Sequence, residues 1–322
     1  MSVFASLRRA PAPAAAVELA SGRVSAATLE WRGHHAVVAA HATEPLPDGA
    51  LTPALATANL HDRAAVLGAL HRVLERVGWP RRIGLVIPDV AAKVSLVRFE
   101  KVPSRVQDLD QLVRWQVRKS APFDIQEAQV SYEPGIRLPD GQEFIVSLAR
   151  RAVVEEYESL CAEAGAEVGL VDLATFNVIN AVLAGTVPPS TDWLLVNVAG
   201  DYTSIALMRG SDLLFFRNRA ADADGTLADL VHQTAMYYED RLKGSGFVRV
   251  LLAGAGARQA GDVEQVRRSL EDRLTTPVET VDPRQAASIA DRITASPTLL
   301  DTLTPLVGLL LRDRDLQRTV VA

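Results

Sequence analysis

The 322-residue chain has one cysteine, few aromatics and no long apolar run, and each shortage excludes something. A single thiol, Cys161, makes no intrachain disulfide, so the core holds together without covalent staples. It lies in Tyr157-Glu-Ser-Leu-Cys-Ala-Glu-Ala-Gly165, an amphipathic helical pattern that reads as a buried structural thiol rather than a nucleophile. No stretch approaches the about 18 consecutive apolar residues of a membrane span. The longest candidate, 306–311, is far too short. Neither sign of charge dominates: the net charge is −5, and no Lys/Arg cluster is interleaved with aromatics, which argues against nucleic acid. The Ala/Pro-rich start, 1–16, lacks the apolar core of a signal peptide and reads as a flexible lead-in, with the cytoplasm as the expected location. Also missing are His-Glu-x-x-His, Cys-x-x-Cys, Gly-x-Ser-x-Gly and the Walker A pattern. The one adjacent pair, His34-His35, sits on a strand whose successive side chains point to opposite faces, so no metal site is nominated.

What is present is a repeated opening. Residues 17–29 and 195–207 each read as an apolar strand, a small-residue turn and a second strand with alternating apolar positions. Turns of this kind direct backbone N–H groups at a phosphate. A third strand follows each hairpin, and helices then alternate with strands. Helical spacing predicts helices over 62–77, 109–120, 153–164, 174–183, 227–242, 263–274 and 303–311. Short buried strands are predicted at 83–87, 168–172, 248–252 and 278–281. Pro139-Asp140-Gly141 joins two further strands, at 130–134 and 143–149. The pattern is an α/β duplication, with a linker over 186–191 that contains Pro188-Pro189.

Four segments in this order resemble the actin-like ATPase superfamily (actin, heat-shock chaperones, sugar kinases and the cell-division protein FtsA), and within it the PilM-like proteins of type IV pilus assembly. They are the hairpin at 17–30, the run 102–123 in which an extended proline leads into a helix ending at Ala-Pro-Phe, the second hairpin with its aromatic-then-Arg ending over 194–217, and Val250-Leu-Leu-Ala-Gly-Ala-Gly-Ala257. The resemblance implies an actin-like (ribonuclease H-like) fold of two α/β halves with an inserted subdomain of the FtsA/PilM type. The expected division is a lead-in at 1–14, a first half at 15–187 with the insertion at about 102–165, and a second half at 188–322. It also implies a partner, the cytoplasmic N-terminal tail of a PilN-like bitopic inner-membrane protein, which would recruit the chain to that membrane alongside other pilus or secretion proteins. The implied groove lies between the insertion and the first half, a setting suited to an extended peptide with apolar anchors. Partner-binding candidates are Trp115, Pro122 and Phe123; Trp115 and Phe123 flank the helix of the inserted subdomain, with core packing the first reading for both and partner docking the second.

The ligand that the resemblance implies for the cleft is ATP with Mg²⁺. Nucleotide-binding candidates are Glu18, Ser21, Gly22 and Arg23 in the first turn, Asn197, Gly200, Asp201 and Thr203 in the second, then Gly225, Gly254 and Gly256. The family's Asp-x-Gly of the first turn reads Glu18-Leu19-Ala20, and its acid in the second hairpin is Asn197. Its paired glycine reads Asp224-Gly225. Arg23 has two readings, reaching a γ-phosphate or lying in solvent. Asp201 either replaces the missing acid or merely starts the turn. The glycines at 254 and 256 serve either a nucleotide or a strand-to-helix turn. Without a firmly held metal, phosphoryl transfer loses its main electrostatic stabilisation, so turnover is expected to be weak or lost, and no catalytic residue is nominated. Three functions follow: an assembly scaffold, an active ATPase switch or kinase, and a cytoplasmic domain of the GspL type from type II secretion. The third normally runs on into a membrane segment, which makes the first the expected one.

Overall fold

The computed structural model describes residues 13–186, 191–221, 226–257, 263–290 and 295–312. The first half opens with β1 (Ala15–Ala20), β2 (Arg23–Arg32) and β3 (His35–Pro45), followed by α1 (Arg63–Arg76), β4 (Arg82–Ile87) and β5 (Ala92–Phe99). Next come α2 (Val106–Val117), β6 (Ala128–Leu138), β7 (Gly141–Arg150), α3 (Arg151–Glu163), β8 (Glu167–Leu173) and α4 (Ala174–Gly185). The second half holds β9 (Asp192–Val198), β10 (Tyr202–Arg209), β11 (Asp212–Ala220), α5 (Leu227–Leu242), β12 (Arg249–Ala253), α6 (Val263–Leu274), β13 (Val278–Thr280), β14 (Ser288–Ile289) and α7 (Pro297–Leu311).

The duplication is visible in the sheets. One runs β14-β3-β2-β1-β4-β8 and the other β11-β10-β9-β12-β13. In each, an antiparallel meander is followed by parallel strands added beside its first strand. β1 is central and covered on both faces, which explains its near-continuous apolar run. Ala15, Val17 and Leu19 pack into one core, whereas Ala16 packs into another on the opposite face.

Two boundaries differ from expectation. The inserted subdomain is the sheet β5-β7-β6 under α2, spanning 92–150 rather than 102–165. Its core joins Phe99, Val113, Val117 and Phe144. α3 falls inside the expected insertion, yet it contributes Val153, Tyr157, Leu160 and Cys161 to the core of the first half. The second difference is at the C-terminal end. β14 pairs with β3, and the leucines of α7 pack on the first sheet, so part of the expected second half returns to the first. The cause is the crossing of α4 and α7. Gly308 brings the helices so close that a Cβ there would lie 1.7 Å from the Asn177 carbonyl oxygen. The expected lead-in and linker fall mainly on residues 1–12 and 187–190, outside the described residues. Cys161 is fully buried, and burial pushes its thiol up to about 12, as a structural thiol requires.

Candidate functional site

The two hairpin turns meet between the halves. Gly200, in the turn between β9 and β10, approaches Ser21, in the turn between β1 and β2; a Cβ on Gly200 would lie 3.5 Å from the Ser21 hydroxyl. A cavity of about 210 Å³ lies there. It brings together Glu18, Ser21, Gly22 and Arg23 from the first turn, Asn197, Gly200 and Asp201 from the second, and Gly254. Thr203 is buried in the β9–β10 ladder opposite Val198 and does not line it. Gly256 does not line it, and Gly225 lies outside the described residues.

Two of the charges in the cavity are engaged with one another, and a third is held by backbone N–H groups. Arg23 folds back so that Nη2 donates to Glu18 Oε2 at 2.9 Å. It is thus neither free in solvent nor extended toward a phosphate. Asp301, on α7, lines the same cavity. Its Oδ1 accepts from the Gly254 N–H at 3.0 Å and its Oδ2 from the Gly256 N–H at 2.6 Å. Burial raises the Asp301 carboxyl above its ordinary range, opposed by these two N–H groups and by the charge of Arg23. Among the described residues, the charged lining is therefore Glu18, Asp201 and Asp301 against Arg23.

Beneath the cavity runs a buried polar network that the sequence reading missed. Asp89, in the Pro88-Asp89 turn after β4, accepts from the Thr175 backbone N–H at 3.0 Å and from the Ser204 hydroxyl at 2.5 Å. The Thr175 hydroxyl also donates to Asp89, and Asn197 Nδ2 donates to that hydroxyl oxygen at 2.8 Å. Asn218 Nδ2 closes on the Asp89 backbone oxygen at 3.0 Å. The direction of the bonds matters. Thr175 gives its single proton to Asp89, so the group facing it from 197 must be a donor, which asparagine is and aspartate is not. Desolvation raises the Asp89 carboxyl, and its three hydrogen bonds oppose the shift. Because Asp89 follows β4, Thr175 opens α4, and Asn197 and Ser204 lie on β9 and β10, the network ties the two halves together beneath the turns.

The partner candidates separate. Phe123 packs against the core of the inserted subdomain, as core packing predicts. Trp115 does not; it is 66% exposed on the solvent side of α2, opposite Val113 and Val117. Pro122 is also exposed. Among the described residues, no group of three or more His, Cys, Asp or Glu is arranged to hold a metal ion. No helix among them is long and apolar enough to cross a membrane.

Residues 16–241 match the family model described as type IV pilus assembly protein PilM. The chain belongs to the PilM family. The matched stretch carries both hairpins, the inserted subdomain and most of α5, and stops before Gly254 and Asp301. No curated protein sequence matches the chain. Among solved structures, the chain is similar to one described as the PilM–PilN type IV pilus biogenesis complex, with TM-score 0.78 and 18% identity over 93% of this chain and 98% of that one. A Bacteroides thetaiotaomicron protein with an actin-like ATPase fold gives TM-score 0.50 and 10% identity, covering 87% and 94%. The cytoplasmic domain of EpsL, an inner-membrane component of the Vibrio cholerae type II secretion system, gives 0.49 and 12%, covering 94% of each. At these identities the first two of these matches establish the actin-like fold alone.

Proposed function

We propose that this PilM-family chain is a cytoplasmic scaffold of type IV pilus or related assembly, which binds the cytoplasmic N-terminal tail of a PilN-like inner-membrane protein and carries a degenerate nucleotide cleft. The observation that carries the partner assignment is the full-length agreement in fold with a PilM chain from a PilM–PilN complex. The cleft reading is supported by chemistry. A cavity of about 210 Å³ falls below the about 300–1,000 Å³ of ordinary ligand pockets. Glu18 is neutralised by Arg23, and Asn197 serves as a donor to Thr175 where the resemblance calls for an acid. ATP and Mg²⁺ do not fit the residues as they stand.

Isothermal titration of the full chain tests both parts. Heat on adding the N-terminal tail peptide of a PilN-like protein from the same genome, and none on adding ATP–Mg²⁺, is the expected result. Tight ATP binding with hydrolysis that Glu18→Ala abolishes would instead make the chain an active switch. Absence of peptide binding would remove the partner.

A further inference from the structure

We propose that Asp301 is a built-in occupant of the cleft: its carboxylate fills the anion-binding turn at Gly254 and Gly256 and so determines that the site rejects nucleotide phosphates. This rests on the degenerate-cleft reading above and supplies its cause. A glycine turn that aims successive N–H groups at one point is an anion site. Here both N–H groups are taken, one by each carboxylate oxygen, at 3.0 and 2.6 Å. Two oxygens of a phosphate would use the same donors.

The glycines are shaped for this carboxylate. Gly254 has φ +77°, and a Cβ there would lie 2.3 Å from the Val198 carbonyl oxygen, so the turn itself requires it. A Cβ on Gly256 would lie 2.7 Å from Asp301 Oδ2. Retention of glycine at 256 is thus explained by the approach of Asp301, without a nucleotide. The carboxylate is also held in place. Thr298, one turn earlier on α7, donates to the Gly256 carbonyl at 2.8 Å, and Leu303, Leu306, Val307 and Leu309 anchor the same helix in the core. A tethered ligand competes at an effective concentration of order millimolar or more, which a free phosphate must exceed. Among the described residues Arg23 is the one cation lining the cavity; its Nη2 is held by Glu18 and it lies in the field of Asp301, while its buried Nε has no hydrogen-bond partner and is the donor an anion could reach once the turn is vacated.

The test is titration with inorganic pyrophosphate and with ATP–Mg²⁺ of the full-length wild type, Asp301→Ala, Asp301→Asn and the double variant Asp301→Ala/Arg23→Ala, each checked for fold by circular dichroism. The wild type is expected to give no heat, and Asp301→Asn, which keeps one acceptor oxygen but sets an NH2 donor against the other glycine N–H, is expected to bind pyrophosphate more weakly than Asp301→Ala. Asp301→Ala is expected to bind pyrophosphate at least about tenfold more tightly than the wild type, and the double variant to lose that gain. A folded Asp301→Ala that gains no affinity overturns the proposal while leaving the degenerate cleft standing. Wild-type binding of ATP–Mg²⁺ as tight as that of Asp301→Ala overturns both. Should Asp301→Ala not fold, hydrogen exchange in the wild type decides: the Gly254 and Gly256 amides are expected to exchange slowly, with no change on adding pyrophosphate, and fast exchange overturns the proposal.

Discussion

At the scale of single residues, the network under the cleft turns on who donates to whom. Asn197→Asp replaces a donor with an acceptor opposite a hydroxyl that has already given its proton away, and places a second carboxylate near Asp89. A loss of about 1–3 kcal/mol is expected, read from the urea midpoint, with no gain of ATP binding. If Asn197→Asp instead binds ATP–Mg²⁺ at wild-type stability, the asparagine was only a missing metal ligand. Asp89 gives a pH test. Its carboxyl is raised in the folded state, so the folded chain holds that proton more tightly than the unfolded one. The contribution of Asp89 to stability is therefore full below the ordinary aspartate value of about 3.9 and is lost as pH rises through the folded value. Asp89→Asn lacks this slope. Its deficit against the wild type is expected to shrink between about pH 4.5 and about pH 8, and a deficit that grows with pH would mean that the hydrogen bonds outweigh burial. Little of this was legible in the sequence. Asn197 stood out as a departure from the resemblance, but Asp89, Thr175 and Ser204 are far apart in the chain and meet only because three elements converge. Asp301 was hidden differently, as one acid in the apolar run of a closing helix whose start was read six residues late.

At the scale of elements, the strands and helices were readable because apolar period decides them. The hairpins, α1 and α3 stand within a few residues of their expected positions. Where an element packs was not readable in the same way. α3 and α7 carry ordinary amphipathic or apolar patterns that say a face is buried but not against which sheet. The α4–α7 crossing supplies the missing information in Gly308. Gly308→Ala sets a methyl group against the Asn177 carbonyl oxygen, backbone that cannot rotate away. The expected loss is at the upper end of the about 1–3 kcal/mol typical of overpacking, seen as a lowered melting temperature. Gly68→Ala in α1 is the contrast. Its new Cβ meets only the tip of Arg72, at 3.4 Å, and a gain of about 0.5–1 kcal/mol is expected from the better helix residue. Equal effects at the two positions would mean that the helix crossing has room to spread.

At the scale of the whole molecule, the junctions between the halves among the described residues include the Asp89 network, the apolar cluster in which Val178 and Ile179 of α4 pack with Trp193, Leu195 and Phe216, and the return of β14 and α7, with Asp301 on the glycine turn. A molecule tied in this way suits a fixed platform better than a cleft that opens and closes, and its recognition chemistry is then expected on its outer surface. Trp115 is the place to look. It points away from the subdomain core, with Gln111 one turn before it on α2 and Arg118 and Lys119 in the 3-10 turn that follows the helix. Exposed aromatic side chains beside cations are common anchors of peptide interfaces, where truncating one costs about 2 kcal/mol or more of binding. Because Trp115 makes no core contribution, Trp115→Ala is expected to leave stability within about 0.5 kcal/mol of the wild type. In the same protein, affinity for the PilN-like tail peptide is expected to fall about 30-fold, measured by titration at fixed salt. Phe123→Ala should do the reverse, lowering the melting temperature by emptying part of the subdomain core and weakening peptide binding only as far as the subdomain loosens. If Trp115→Ala binds the peptide as the wild type does, the peptide docks elsewhere, and the exposed face of α2 is left without a role in its capture.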